Sequence, residues 1–145
     1  MRILGIDYGH RSIGVAISDE NGLLSRGLAV IPKSRWEKDL PRIISEYQVQ
    51  LLVVGMPKTL DNQDGSQAKI ILGFMEKLRE VTGCVITRWD ERLSSRLAER
   101  YLISADLSRQ KRKNIIDRLS AQIILQDYLD SQRRPVYLQK EAEEM

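Results

Sequence analysis

Apolar positions recur with two different periods along the chain. Over residues 2–31 they fall into three short runs, "RILGIDY" (2–8), "IGVAISD" (13–19) and "LLSRGLAVI" (23–31), separated by the turn sequences "GHRS" and "DENG". Runs of this length between turn formers predict three strands in a meander. From Ser34 onward helical and strand patterns alternate. "SRWEKDLPRIISEYQ" aligns Leu40, Ile43, Ile44 and Tyr47 on one helical face, and Pro41 predicts that the regular helix starts near Leu40 or is bent. "LLVVG" (51–55) is almost wholly apolar, as in a central strand covered on both faces. The segment 56–65, "MPKTLDNQDG", reads as a loop. "SQAKIILGFMEKLREVTG" reads as a helix with Ser66 as N-cap and Gly83 as C-cap. "CVITRW" (84–89) supplies a fifth strand, a helix follows over 96–103, the stretch 104–113 is polar, and "NIIDRLSAQIILQDYLD" (114–130) is a last long helix. The order β-β-β-α-β-α-β-α-α predicts one α/β domain on a mixed five-stranded sheet, three antiparallel strands followed by parallel ones.

Length agrees with this reading, since 145 residues suffice for one ordinary core without disulfides or a structural metal. The expected domain spans 1–139, and 140–145 form an acidic tail. Hydrophobic residues at 42% and charged residues at 30% are those of a soluble globular protein. No segment suggests a membrane partner, and the start "MRILGIDYG" lacks the pattern of a signal peptide, so a cytoplasmic location is expected. The single cysteine, Cys84, excludes an intrachain disulfide or a cysteine-rich zinc site and reads as core filler. Net charge is +3, and because "KEAEEM" carries three Glu against one Lys, the rest of the chain carries +5. The excess clusters in "RQKRK" (109–113) and in Arg133 and Arg134, which suggests a polyanionic partner such as nucleic acid.

Acids stand near the ends of these elements, and Asp7 stands where the pattern predicts a buried strand. Asp7 lies near the end of the first strand, Asp90 and Glu91 follow the fifth, and Asp117 lies near the start of the last helix. Parallel strands bring their carboxyl ends to one rim, where open α/β sheets bind ligands. Asp117 heads a stripe whose other members are Ala121, Ile124 and Tyr128, and the small pair Ser120 and Ala121 would let that helix approach the sheet closely. Each acid has a local explanation as well, as a cap, a turn residue or a partner for a helix dipole. One carboxylate cluster around a hard cation accounts for all of them, and oxygen donors favour Mg²⁺ or Mn²⁺ over zinc.

Together, "GIDYGHRSIGVAISD", "VVGMP", "DERLSS" and "IIDRLSAQIILQDYLD" resemble the YqgF family of Holliday junction resolvases and nucleases of the small-subunit ribosomal RNA precursor. The resemblance covers nearly the whole chain in the right order. It implies a ribonuclease H-like fold and a metal-dependent nuclease acting on structured nucleic acid, in pre-16S rRNA 5′-end processing or Holliday junction resolution. The family's metal-binding acids carry over onto Asp7, Glu91 and Asp117, with Asp90 as a near-equal alternative to Glu91 and as a fourth catalytic candidate. Such a site hydrolyses phosphodiesters without a covalent intermediate. Arg11, Lys58, Arg109, Lys111, Arg112 and Lys113 are then the candidates to hold the phosphate backbone. The protein would act as a monomer or a homodimer, symmetrical junction cleavage requiring two sites.

Two other readings compete. A nucleic-acid-binding or ribosome-assembly factor would keep the fold and the basic residues without turnover. An ATP-binding, actin-like module would use "IDYGHRSIGVAI" as its first phosphate loop, but those enzymes close two related domains over the nucleotide and this chain supplies one.

Overall fold

The computed structural model describes residues 1–56, 65–90 and 109–133. Five strands, β1 (Arg2–Tyr8), β2 (Ser12–Ser18), β3 (Ser25–Pro32), β4 (Val49–Met56) and β5 (Val85–Asp90), form one sheet in the order β3-β2-β1-β4-β5. β1–β2 and β2–β3 pair antiparallel, whereas β1–β4 and β4–β5 pair parallel, as the meander followed by alternating elements predicts.

The helices α1 (Trp36–Tyr47) and α2 (Ser66–Thr82) belong to one face of the sheet and α3 (Arg109–Gln132) to the other. Strand alternation produces this division. On β1, Leu4 and Ile6 join the first core with Trp36, Leu40, Phe74 and Leu78, while Ile3 joins the second with Ala121, Ile124, Leu125 and Leu129. Both faces of the central strands are therefore covered, which explains the continuous apolar run of β4.

Three boundaries differ from the pattern. α1 begins at Trp36 and holds Pro41 inside it, four residues before the expected start near Leu40. Proline there removes one helical N–H, yet Trp36, Leu40 and Ile43 are all buried on one stripe, and Trp36 meets the Phe74 ring edge-on at 5.0 Å. Packing of that stripe outweighs the missing bond. In α2 the N-cap is Gly65, with φ 68°, rather than Ser66, and its carbonyl accepts from Lys69 N–H at 3.1 Å. Ser66 is already inside the helix because Gly65 supplies the left-handed turn before it. Gly83 closes the other end as expected, with φ 68° and its N–H on the Arg79 carbonyl at 2.9 Å. Finally, α3 starts at Arg109, so the basic run 109–113, expected to lie in a polar connection, forms its first turns. Lys, Arg and Gln are good helix formers, and they extend a helix whose later turns are held by burial. The helix expected over 96–103 lies outside the described residues, and Cys84 is half-buried against the first core.

α3 runs antiparallel to β1. Ser25, at the start of β3, donates its N–H to Gln126 Oε1 at 2.8 Å and its hydroxyl to the Gln122 carbonyl at 3.0 Å. Gly27, two residues on, faces Arg118. The contacts move down the helix as β3 moves up, and β3 is parallel to β1 across β2. The closest approach is at Gly5: a Cβ there would lie 2.7 Å from Leu125 Cβ and 3.1 Å from the Ala121 carbonyl oxygen. Only a residue with no side chain fits without moving the helix.

At the β2–β3 turn, Asp19 Oδ1 accepts the N–H groups of Leu23 at 2.7 Å and Leu24 at 3.2 Å. These bonds, that to Leu23 foremost, hold its carboxyl below the usual carboxylate range. Its contribution is thus present above the unfolded pKa and disappears as pH falls through the lower folded value. Urea titrations run downward through pH 3.8 and below should show wild type losing more stability than Asp19→Ala. In the same assay Gly5→Ala should cost about 1–3 kcal/mol by overpacking against Leu125. Gly73→Ala, on the exposed face of α2 with no atom within 4 Å of an added Cβ, should gain roughly 0.5–1 kcal/mol.

Candidate functional site

The carboxyl ends of β1, β4 and β5 form one rim of the sheet, closed on one side by the β1–β2 turn. That turn is tight: Gly9 N–H donates to the Ser12 carbonyl at 2.9 Å, and a Cβ on Gly9 would lie 2.7 Å from the same oxygen. Gly9 is thereby required, and the turn projects His10 and Arg11 into solvent at the rim.

Asp7 pairs across the sheet with Gly14 and is half-buried. Alternation from Ile3 and Gly5 directs it to the face covered by α3, whereas its neighbours Ile6 and Tyr8 point to the α1/α2 core. The carboxylate can therefore occupy a strand without entering the main core. Two strand residues and one helical turn advance by nearly the same distance, about 6.6 and 5.4 Å. Since α3 runs antiparallel to β1 and Ala121 lies over Gly5, the backbone of the turn at 117 lies level with Asp7. The side chain of Asp117 is outside the description, as is all of Glu91.

β5 joins this arrangement through Trp89. Its indole Nε1–H donates to Asp127 Oδ2 at 3.0 Å, and its ring meets Tyr128 edge-on at 5.6 Å and 87°. Asp90, paired with Met56 of β4, is exposed at the same rim but falls by alternation on the α1/α2 side of β5, opposite to Trp89. Asp7 and the turn at 117 thus share a face that Asp90 does not. Among the described residues no group of three or more His, Cys, Asp or Glu comes together, and of the expected trio only the Asp7 side chain belongs to that set.

Of the basic candidates, exposed Arg11 lies at the rim. Lys58 lies outside the described residues, and for Arg109, Lys111, Arg112 and Lys113 the description extends to the helical backbone. The structure adds Lys33. Pro32, the last residue of β3, pairs with Ser12, so Lys33 emerges at the same rim. Its ammonium sits over the Tyr8 ring at 4.1 Å, and Tyr8 stacks at 4.3 Å on Phe74. No spacing in the chain links positions 8 and 33, because the contact exists only through β2.

Comparison with known proteins agrees with the architecture. The model of the family RuvX, described as Holliday junction resolvase, matches residues 1–131. A "Putative pre-16S rRNA nuclease" of Desulforamulus reducens is 51% identical over 134 residues, covering 90% of this chain and 98% of that protein. A protein of the same name from Thermoanaerobacter pseudethanolicus is 47% identical over 137 residues, covering 92% and 99%. Among solved structures, Thermus thermophilus RuvC in complex with Holliday junction substrate superposes with a TM-score of 0.56 at 14% identity, over 91% of this chain and 95% of that one. The fowlpox virus resolvase with its junction DNA gives 0.59 at 13%, over 92% and 100%. These two likenesses establish the fold, a ribonuclease H-like one.

The link between β5 and α3 is open to measurement. Trp89→Phe keeps the ring contact with Tyr128 and removes the donor to Asp127, so chemical denaturation should report a loss of about 1 kcal/mol or less.

Proposed function

The chain belongs to the RuvX family, Holliday junction resolvase, and from this premise we propose that it is a divalent-metal-dependent nuclease acting on structured nucleic acid. The observation that carries the proposal is a half-buried carboxylate, Asp7, at the carboxyl rim of the sheet on the face that α3 approaches most closely. Carboxylate oxygens suit a hard cation, Mg²⁺ or Mn²⁺, and the close approach at Gly5 brings a second acid-bearing turn, at 117, to the level of Asp7. The donor set therefore fits the metal.

In this reading Asp7, Glu91 and Asp117 hold the metal. Asp90 is the less suited of the acidic pair because its position on β5 falls on the other face. When bound, divalent ions activate water and stabilise the leaving oxygen of an in-line displacement at phosphorus. The chain's own residues orient the substrate. Arg11 and Lys33 are cations at the rim, and the run Arg109, Lys111, Arg112 and Lys113 adds positive charge at the start of α3. Contacts of this kind position a phosphate backbone without reading sequence. Tyr8 holds the Lys33 ammonium in place and so reduces the side-chain freedom lost on binding.

The substrate we propose is the precursor of 16S rRNA, because relatives matching over nearly their entire length carry that name. The family description favours a four-way DNA junction as the second reading. Incubation of the purified protein with Mg²⁺ or Mn²⁺ and a panel of precursor rRNA, synthetic junction and linear duplex separates the two. Cutting of the rRNA alone supports the first, cutting of the junction alone the second, and no metal-dependent cutting of any substrate overturns the nuclease.

In the same panel Asp7→Asn should retain its fold by circular dichroism and lose more than about 100-fold in cleavage rate, since even outer-shell partners of a metal cost 10–100-fold. Binding titrations in increasing salt should show log K against log salt becoming shallower by roughly 0.7–0.9 for each of Arg11→Ala and Lys33→Ala.

A further inference from the structure

The flank of α3 that faces β3 is polar, and the strand engages two of its three side chains. Arg118, Gln122 and Gln126 follow one another at four-residue spacing and so share that flank. Gln126 accepts the Ser25 N–H on Oε1 at 2.8 Å and donates from Nε2 to the Leu23 carbonyl at 3.0 Å, and Gln122 donates from Nε2 to the Ser25 carbonyl at 3.4 Å. Arg118 comes one turn earlier. It is exposed, and among the described residues no hydrogen bond or ion pair engages it. The Ser120 hydroxyl of the same helix also lacks a partner, but that residue is 1% exposed and closed to anything in solution. The fold thus leaves one accessible cation on this flank uncommitted.

The stem of Arg118 is nevertheless held. A Cβ on Gly27 would lie 2.5 Å from Arg118 Cγ and 2.8 Å from its Cδ, so the methylene groups rest directly on the glycine backbone. A guanidinium carried on a seated stem has given up part of its rotamer freedom before any ligand arrives. Strand register fixes its place relative to Asp7. Gly27 pairs with Ala16 and Ala16 with Gly5, two residues before Asp7 on the same face of the sheet. Two strand spacings and two residues of rise put Gly27 about 12 Å from Asp7 along the sheet. That distance is about three to four steps of one strand of a duplex, at roughly 3.4 Å each.

We propose that Arg118 is a substrate-binding residue: seated on Gly27, its guanidinium holds a backbone phosphate of the nucleic acid a few nucleotides from the link that lies at Asp7. Guanidinium suits the task because its planar fork matches two phosphate oxygens at once. The contact carries the substrate path to the α3 face of β3, whereas Lys33 holds a cation on the opposite face and Arg11 one in the turn between them. A backbone held at all three places crosses the rim from one face of the sheet to the other. The inference rests on the nucleic-acid reading of the site and adds to it a cation that lies outside the basic run 109–113.

The test uses the full chain carrying Asp7→Asn, so that nothing is cut, and titrates labelled precursor rRNA and a synthetic junction in increasing salt. Arg118→Met keeps an apolar stem on Gly27 and removes the charge. Its melting temperature should match that of the parent, and its affinity should fall about 5-fold or more at about 0.1 M salt, with the slope of log K against log salt shallower by roughly 0.7–0.9. Arg118→Lys keeps the charge and should keep the slope. Gly27→Ala displaces the stem without removing the charge, so it should weaken binding about 2–10-fold at an unchanged slope. Arg79→Met removes an exposed cation from the last turn of α2, at the opposite end of the sheet, and should leave the slope as it is. An unchanged slope in Arg118→Met, or an equal loss in Arg79→Met, overturns the proposal and leaves the nuclease reading standing. Parent affinity in Gly27→Ala overturns the seating of the guanidinium. Absence of salt-dependent binding by the parent would instead sink the nucleic-acid reading itself.

Discussion

The contact between Gly5 and α3 is the constraint on which the rest depends. With no side chain on Gly5, the helix backbone at Ala121 and the Leu125 Cβ come close enough that even a methyl group would collide with them. That approach seals the second core, in which Ala121, Ile124, Leu125 and Leu129 cover Ile3, Ala16 and Val53. It also sets how near the backbone at 117 lies to the end of β1. A larger residue would hold the helix away from the strand and carry the turn at 117 away from Asp7.

The same strand meets two demands by alternation. Leu4 and Ile6 are fully buried against α1 and α2, where Leu40 and Leu78 meet them, while Gly5 and Asp7 face α3. A carboxylate two residues earlier would enter a closed core and require neutralisation or a buried partner. Asp7, one residue from the end of β1, stays half-buried. The opposite face uses the same position in the fold differently. Tyr8 stacks on Phe74 and supports the Lys33 ammonium, on the face of the sheet opposite to Asp7.

Several of these features were legible in the chain. The strands of the meander, the apolar β4, the C-cap at Gly83 and the small residues of α3 all follow from local patterns whose physical cause is local. The starts of α1 and α3 were less so. Pro41 and the basic run 109–113 read as interruptions, but burial of Trp36 and extension of a well-packed helix decide otherwise. Ser66 and Gly65 compete for one cap, and the left-handed backbone of Gly65 decides in its favour. Lys33 was invisible as a partner of Tyr8, and Ser120 looked like a spacer rather than a polar group without a partner.

Sequence by itself determined the element order, the mixed sheet and the identity of the acids near strand and helix ends, because hydrophobic period, turn chemistry and residue type are properties of short segments. Tertiary structure alone decided that Asp7 and Asp90 lie on opposite faces of the sheet, how near the last helix lies to β1, that Lys33 reaches the rim and which hydroxyl is left without a partner. Those properties depend on register between strands and on the packing of side chains distant in the chain. A change of one residue in register would turn Asp7 to the other face while leaving every local pattern unaltered.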